Sequence, residues 1–177
     1  MPLITSTMPK ANETSNWNIY RNEEYGFEIK YPPNFLLDIG FYDKNDFSIG
    51  FGPPYRQVYG HDHPVLKSAG IYWLTINRLE GTLQKYIESD NHCDGLKECG
   101  MDSYEMEETR IDGEQAFVLR THTDLGGYDS HDIYTSRNAL VFQFTDDHWD
   151  RGYLKAEPSA TLARMISTFT FLSQGNR

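Results

Sequence analysis

Residues 20–32 read Tyr20-Arg21-Asn22-Glu23-Glu24-Tyr25-Gly26-Phe27-Glu28-Ile29-Lys30-Tyr31-Pro32. Along residues 25–31, Tyr25, Phe27, Ile29 and Tyr31 fall on one side of an extended chain and Glu28 and Lys30 on the other. That period of two marks a half-buried strand. Pro32-Pro33 stops it, because proline brings no N–H to a ladder. Gly26 is expected to permit close packing or a bulge. Working outward, residues 47–51 (Phe47-Ser48-Ile49-Gly50-Phe51) read as another strand. Residues 71–79 read as a third, with Tyr72, Leu74 and Ile76 on one side. Thr82 can cap a short helix in which Leu83, Tyr86 and Ile87 form one apolar stripe. Residues 104–111 and 115–123 form a hairpin about Asp112-Gly113, a strong turn signal. In its second strand Phe117, Leu119 and Thr121 oppose Val118 and Arg120. Residues 131–136 and 139–145 form a second hairpin, with Leu140, Phe142 and Phe144 opposed to Val141, Gln143 and Thr145. The chain closes on a helix: Leu162, Met165, Ile166 and Phe169 recur at i, i+3, i+4 and i+7, and Pro158 suits its first turn. Hairpins dominate and the helices fall near the middle and end. This order predicts an α+β protein with an antiparallel sheet, not alternating β-α units around a parallel one.

The 177 residues are enough for one domain with a proper core. Aromatics make up 14% of the chain, a folded rather than disordered composition. The formal charge of −10 repels phosphate backbones, and no run of Lys and Arg offsets it, so nucleic acid is excluded as a partner. Asp102, Glu105, Glu107, Glu108, Asp112 and Glu114 crowd a stretch opposed by Arg110 alone. They read first as a solvated strand face and second as an acidic docking or cation-binding face. No apolar run approaches the roughly 20 residues of a transmembrane helix. Residues 1–16, rich in Ser, Thr, Asn and Pro, read as a flexible tether or a trimmed start. An exported or lipid-anchored protein that has lost its leader reads this way, as does a cytoplasmic protein with a loose N-terminus. The expected organisation is a tether over 1–16, one domain over 17–173 and a tail over 174–177.

Two segments carry a resemblance. Trp17 followed by Tyr20 through Pro32 resembles the opening of PsbP-related domains. Met165-Ile166-Ser167-Thr168-Phe169-Thr170-Phe171 resembles their closing helix end. Between them, Ile111-Asp112-Gly113-Glu114-Gln115-Ala116 is similar to a strand turn of such domains. Tyr134-Thr135-Ser136-Arg137-Asn138-Ala139-Leu140-Val141-Phe142 is similar to their late hairpin. The resemblance spans about Trp17 to Leu172. It implies an α/β/α sandwich with a central antiparallel sheet, a fold shared with Mog-type Ran-binding proteins. It also implies an extracytoplasmic setting, because bacterial relatives are often secreted proteins or lipoproteins, and a non-enzymatic role like that of PsbP, an extrinsic subunit of photosystem II. It brings no catalytic motif.

Several residue groups invite chemistry. His61 and His63 flank Asp62 and point the same way in an extended segment. With Asp62 or His92 they could hold zinc or another divalent ion. Cys93 and Cys99 sit in a polar, glycine-bearing loop that can bend to join them. The small ring would stabilise by about 2 kcal/mol and imply an oxidising compartment. Two reduced cysteines are the alternative, since the spacing matches no common zinc or redox motif. Residues 43–48 (Asp43-Lys44-Asn45-Asp46-Phe47-Ser48) fail as a calcium loop, because Phe47 and Ser48 stand where an oxygen ligand and a glycine belong. They fit a turn between strands. Asp129-Ser130-His131-Asp132 holds triad residue types, but neighbours on a strand alternate sides and cannot converge. Gly50-Phe51-Gly52 and Gly126-Gly127 lead into no phosphate-binding pattern. Asp146-Asp147-His148-Trp149-Asp150 reads as the passage from the last strand towards the terminal helix. The expectation is a non-enzymatic, extracytoplasmic accessory or binding module. It would meet a protein partner through loops around the sheet, with Tyr55, Tyr59 and Trp149 as contacts. A metal-binding protein using His61 and His63 is the alternative.

Overall fold

The computed structural model describes residues 13–43, 46–53, 72–89, 103–122, 130–146 and 159–173. Among these residues the strands are β1 (Asn18–Asn22), β2 (Phe27–Tyr31), β3 (Leu36–Asp43), β4 (Asp46–Gly52), β5 (Tyr72–Arg78), β6 (Ser103–Ile111), β7 (Glu114–His122), β8 (Ser130–Arg137), β9 (Leu140–Asp146) and β10 (Thr170–Phe171). The helices are α1 (Leu83–Ser89) and α2 (Ala160–Ser167).

The strand expected over 25–31 starts only at Phe27, because Asn22 to Gly26 turn the chain from β1 into β2. Asn22 Oδ1 accepts from the backbone N–H groups of Glu24 and Tyr25, both at 3.0 Å. The Gly26 N–H donates to the Asn22 carbonyl at 2.9 Å. Gly26 has φ +71°, and a Cβ built there would touch nothing. Its role is therefore the left-handed backbone, which only glycine adopts freely, and not the close packing or bulge expected of it.

Seven strands form one sheet in the order β3-β4-β5-β9-β8-β7-β6, and β1-β2-β10 form a smaller one. Every pairing is antiparallel. The large sheet is two meanders, β3 to β5 and β6 to β9, joined in the middle by β5 and β9. Both expected hairpins are present. Asp112-Gly113 turns with φ of 49° and 85°, and Asn138-Ala139 with 54° and 59°. Positive φ at both central residues is the geometry that matches strand twist. Asp112 does a second job: its Oδ2 accepts from the Phe171 N–H at 2.8 Å, tying the hairpin to β10.

Alternation along each strand gives the large sheet two faces. On the first, Phe47, Ile49, Phe51, Leu74, Ile76, Phe142 and Phe144 are buried under the small sheet and α2. Phe27 and Ile29 of β2, Leu162 and Met165 of α2, and Phe169 and Phe171 complete this core. The Phe142 ring lies 5.8, 5.7 and 5.1 Å from those of Phe27, Phe169 and Phe171. Each fully buried Phe contributes about 1.5–3 kcal/mol. Trp17, Tyr20, Tyr25 and Tyr31 of the opening segment pack half-buried against the same core. The helix itself is capped by Ser159, whose Oγ accepts from the Leu162 N–H at 3.2 Å. Phe169, the last member of the expected stripe, lies past the helix end and is still buried.

On the second face, Leu83 and Ile87 of α1 bury against Phe117, Leu119, Tyr134 and Val141. Thr82 Oγ1 accepts from the Lys85 N–H at 3.3 Å, as a cap should. The fold is thus α+β, with helices on both sides of a central antiparallel sheet.

Candidate partner-binding edge

Among the described residues β6 and β3 are the outer strands of the large sheet. They are built differently. On β6, Glu105, Glu107 and Glu108 are exposed. Glu107 pairs with Arg120 at 3.0 Å, Glu108 accepts from Gln115 at 3.0 Å, and Arg110 donates to the Gly113 carbonyl at 2.8 Å. Over β6 the acidic residues thus lie on a solvated strand, the first of the two expectations, while Asp102 lies outside the described residues. Charges on both faces of an outer strand also discourage pairing with another copy.

On β3, among the residues whose side chains are described, the exposed ones are aliphatic. Leu36 is 40% and Ile39 52% exposed. The register places Leu37 and Ile39 opposite Phe51 and Ile49, on the core face, and Leu36 and Asp38 opposite Gly52 and Gly50, on the other. One exposed aliphatic thus stands on each face of the same edge. The ladder is regular from Leu36 to Phe41 and then shifts before Asp43. A bulge of this kind bends an outer strand and bounds the length a partner can pair with.

Register also assembles a row of side chains that no single segment contains. Asp38 of β3 stands opposite Gly50 of β4, and Gly50 opposite Trp73 of β5. Trp73 stands opposite Thr145 of β9, and Thr145 opposite Asp132 of β8. Neighbouring strands are about 4.8 Å apart, so Asp38 and Trp73 are about 10 Å apart at the backbone. The Trp73 ring reaches over the strand between them. A Cβ built on Gly50 would lie 2.9, 3.0 and 3.2 Å from its Cζ3, Cη2 and Cε3. The indole thus lies in the space that a side chain at Gly50 would need, leaning towards β3. Asp38 is half-buried beside this glycine floor. Asp132 at the other end of the row is engaged, accepting from Thr145 Oγ1 at 2.6 Å.

On the core face, Tyr72 Oη accepts from Ser159 Oγ at 2.9 Å, and Asp146 Oδ2 accepts from the Ser159 N–H at 3.0 Å. This cluster pins the start of α2 to β5 and β9. Burial pushes the Tyr72 hydroxyl above the usual tyrosine range, with the Ser159 hydrogen bond pulling the other way.

The expected partner contacts Tyr55, Tyr59 and Trp149, the expected metal ligands His61 and His63 with Asp62 or His92, and the cysteines Cys93 and Cys99 all lie outside the described residues. So does Pro158. Among the described residues no group of three or more His, Cys, Asp or Glu side chains gathers as a metal site requires. No described helix is long and apolar enough to cross a membrane. Leu36, Asp38, Ile39 and Trp73 are absent from the expected site. The available signal was the run of small residues alternating with large ones at Ser48, Gly50 and Gly52.

No known protein family matches the chain, and no curated protein matches it in sequence. Solved structures are similar to it. Cyanobacterial PsbP (CyanoP) from Synechocystis sp. PCC 6803 is 16% identical, with 87% of this chain and 91% of that chain covered and a TM-score of 0.47. The Ran-binding protein Mog1p of Saccharomyces cerevisiae is 11% identical, with 89% and 96% covered and a TM-score of 0.49. A protein from Bacteroides thetaiotaomicron VPI-5482 is 13% identical, with 90% of this chain and 50% of that chain covered and a TM-score of 0.45. At these values the likeness is one of chain course.

Proposed function

We propose that the chain is a non-enzymatic binding module that engages a protein partner, working outside the cytoplasm. The observation that carries the binding role is the β3 edge, an outer strand with Leu36 and Ile39 exposed on opposite faces. An isolated exposed aliphatic is ordinary on a protein surface. Two of them flanking the side of one strand that no described strand pairs with are what an added strand would cover from both sides. The setting outside the cytoplasm rests on the resemblance of residues 17–32 and 165–171 to PsbP-related domains. Tyr55, Tyr59 and Trp149 are proposed to widen the contact from neighbouring loops.

The test is a photo-crosslinking amino acid placed at Ile39 in the full chain, in its own cells, with the same residue at the exposed Gln84 of α1 as control. The expected result is one discrete adduct from position 39 that is absent from position 84. Equal labelling at both positions, or none at 39, would remove β3 as the binding edge.

A further inference from the structure

We propose that α1 is a hinged cover: it swings about Glu80-Gly81, with both sheets and α2 still folded, and bares Phe117, Leu119, Tyr134 and Val141. The cover lies on the sheet face away from α2 and does not depend on the β3 edge.

The two helices are fastened to the sheet unequally. Ser159, at the start of α2, donates its N–H to Asp146 at 3.0 Å and its hydroxyl to Tyr72 at 2.9 Å. At the other end Thr168 Oγ1 accepts from the Lys30 N–H of β2 at 3.0 Å, and the chain runs on into Phe169 and Phe171 of the main core. By contrast, α1 is seven residues long and buries Leu83 and Ile87. These pack with Phe117, Leu119, Tyr134 and Val141 in a cluster separate from the main core. The seam beneath the helix is imperfect. Asn77 Nδ2 of β5 donates to Tyr86 Oη at 2.8 Å, but Asn77 Oδ1 is buried with no partner among the described residues. A buried acceptor without a donor has given up its water and gained nothing in exchange. Lifting α1 returns water to it, so the closed state carries a penalty that opening relieves.

The joint lies next to this seam. The Leu79 N–H donates to the Ala139 carbonyl at 2.8 Å, which holds the chain at the end of β5. Glu80 and Gly81 then run exposed to Thr82, the cap of α1. Gly81 has φ +89°, and a Cβ built on it would touch nothing. No packing holds this position, and glycine changes its backbone angles at little cost, which are the two properties of a hinge. Units with few buried apolar contacts open at a lower free energy than the whole fold. With α1 lifted, the four apolar side chains of the patch lose the helix packed on them.

Native-state amide exchange of the full chain is the test. The amides of Tyr86, Ile87 and Glu88 report on α1, the Tyr86 N–H being bonded to the Thr82 carbonyl at 2.9 Å. Those of Leu74 and Phe144 report on the central strands β5 and β9. Corrected for intrinsic rates, α1 should exchange at least about tenfold faster than the central strands, with a urea slope above zero but below theirs. Phe51→Ala, on the core face, should speed exchange at Leu74 and Phe144 by about a hundredfold or more and leave α1 unchanged. An opening that keeps the sheet folded does not disturb the altered site. Ile49→Val, a milder change on the same face, should give the same contrast at about fivefold. Leu83→Ala should speed exchange at Ile87 and Glu88 by about thirtyfold or more, because a helix that leaves as a unit undocks Leu83 at its far end. Equal acceleration of α1 and the central strands by Phe51→Ala and Ile49→Val overturns the hinged cover, since α1 then opens only with the whole fold. Indifference of Ile87 and Glu88 to Leu83→Ala overturns it too, since only the last turn then frays.

Discussion

Strand β4 has two unlike faces. Phe47, Ile49 and Phe51 are buried in the main core; between them Ser48, Gly50 and Gly52 bear almost no side chain. The first face holds the two sheets and α2 together. The second withholds side chains, and the Trp73 ring fills the place of one of them. Glycine in a strand costs about 0.5–1 kcal/mol relative to alanine. β4 carries that cost twice on one face and offsets it with three large apolar residues on the other. One face is thus for stability, and the other leaves room.

The largest effect should come from the core face. Phe51→Ala removes a buried ring whose centroid lies 5.6 Å from that of Tyr31. It should lower unfolding free energy by about 3–5 kcal/mol, read from the shift of a urea midpoint at constant slope. A loss below about 1 kcal/mol would mean that the site collapses freely and that the core face holds the fold no more tightly than the other.

Gly50→Ala sharpens the contrast on the opposite face. The added methyl meets the Trp73 ring at 2.9 Å, so the indole must move or the strands must part. Overpacking of this kind costs about 1–3 kcal/mol, partly offset by the better strand fit of alanine. The readout is a lower melting temperature together with a change in Trp73 emission, assigned by comparison with Trp73→Phe. If stability rises instead, the indole yields easily and does not define a floor.

Much of the fold is legible in the sequence because burial on one face imposes strict alternation. β2, β4, β5 and both hairpins show it, and Asp112-Gly113 announces its turn. β1 and β3 are not legible. Asn18-Ile19-Tyr20-Arg21-Asn22 puts few apolar residues inward, and Ile19 is exposed. Leu36-Leu37-Asp38-Ile39 has aliphatics on both sides, as an outer strand bordering glycines can. The β3 site is hidden for a second reason. Asp38 and Trp73 are placed on one face only through the register of a third strand, and no local pattern encodes register between distant segments. The α/β/α arrangement is implied by the resemblance at the two ends. The three-stranded sheet between them is implied by nothing local, since β10 is two residues long and owes its place to β2 and Asp112.

Tyr72 and Trp73 are neighbours on β5 that point to opposite faces, and they should respond to different probes. Tyr72 holds its proton more tightly in the folded state than in the unfolded state, burial being the main cause. Its stabilisation is therefore fully present below the ordinary tyrosine range, near pH 10, and is lost as pH rises through the higher folded value. Urea midpoints should fall at alkaline pH. Tyr72→Phe should lose about 1 kcal/mol at neutral pH, through the missing Ser159 contact, and flatten part of the alkaline fall. Tyr25, also raised mainly by burial, accounts for another part. An alkaline limb unchanged by Tyr72→Phe would remove the core-face cluster as its source.

Asp38→Asn should have the smallest effect on the free protein. Asp38 is half-buried on an outer strand with glycines across from it, so folding does not depend on its charge. The urea midpoint should move by less than about 0.5 kcal/mol. Phe51 on the core face would then carry stability that Asp38 on the glycine face does not. If Asp38→Asn destabilised the fold as much as Gly50→Ala, the carboxylate would be structural. Its place across from Gly50 would then be a consequence of packing.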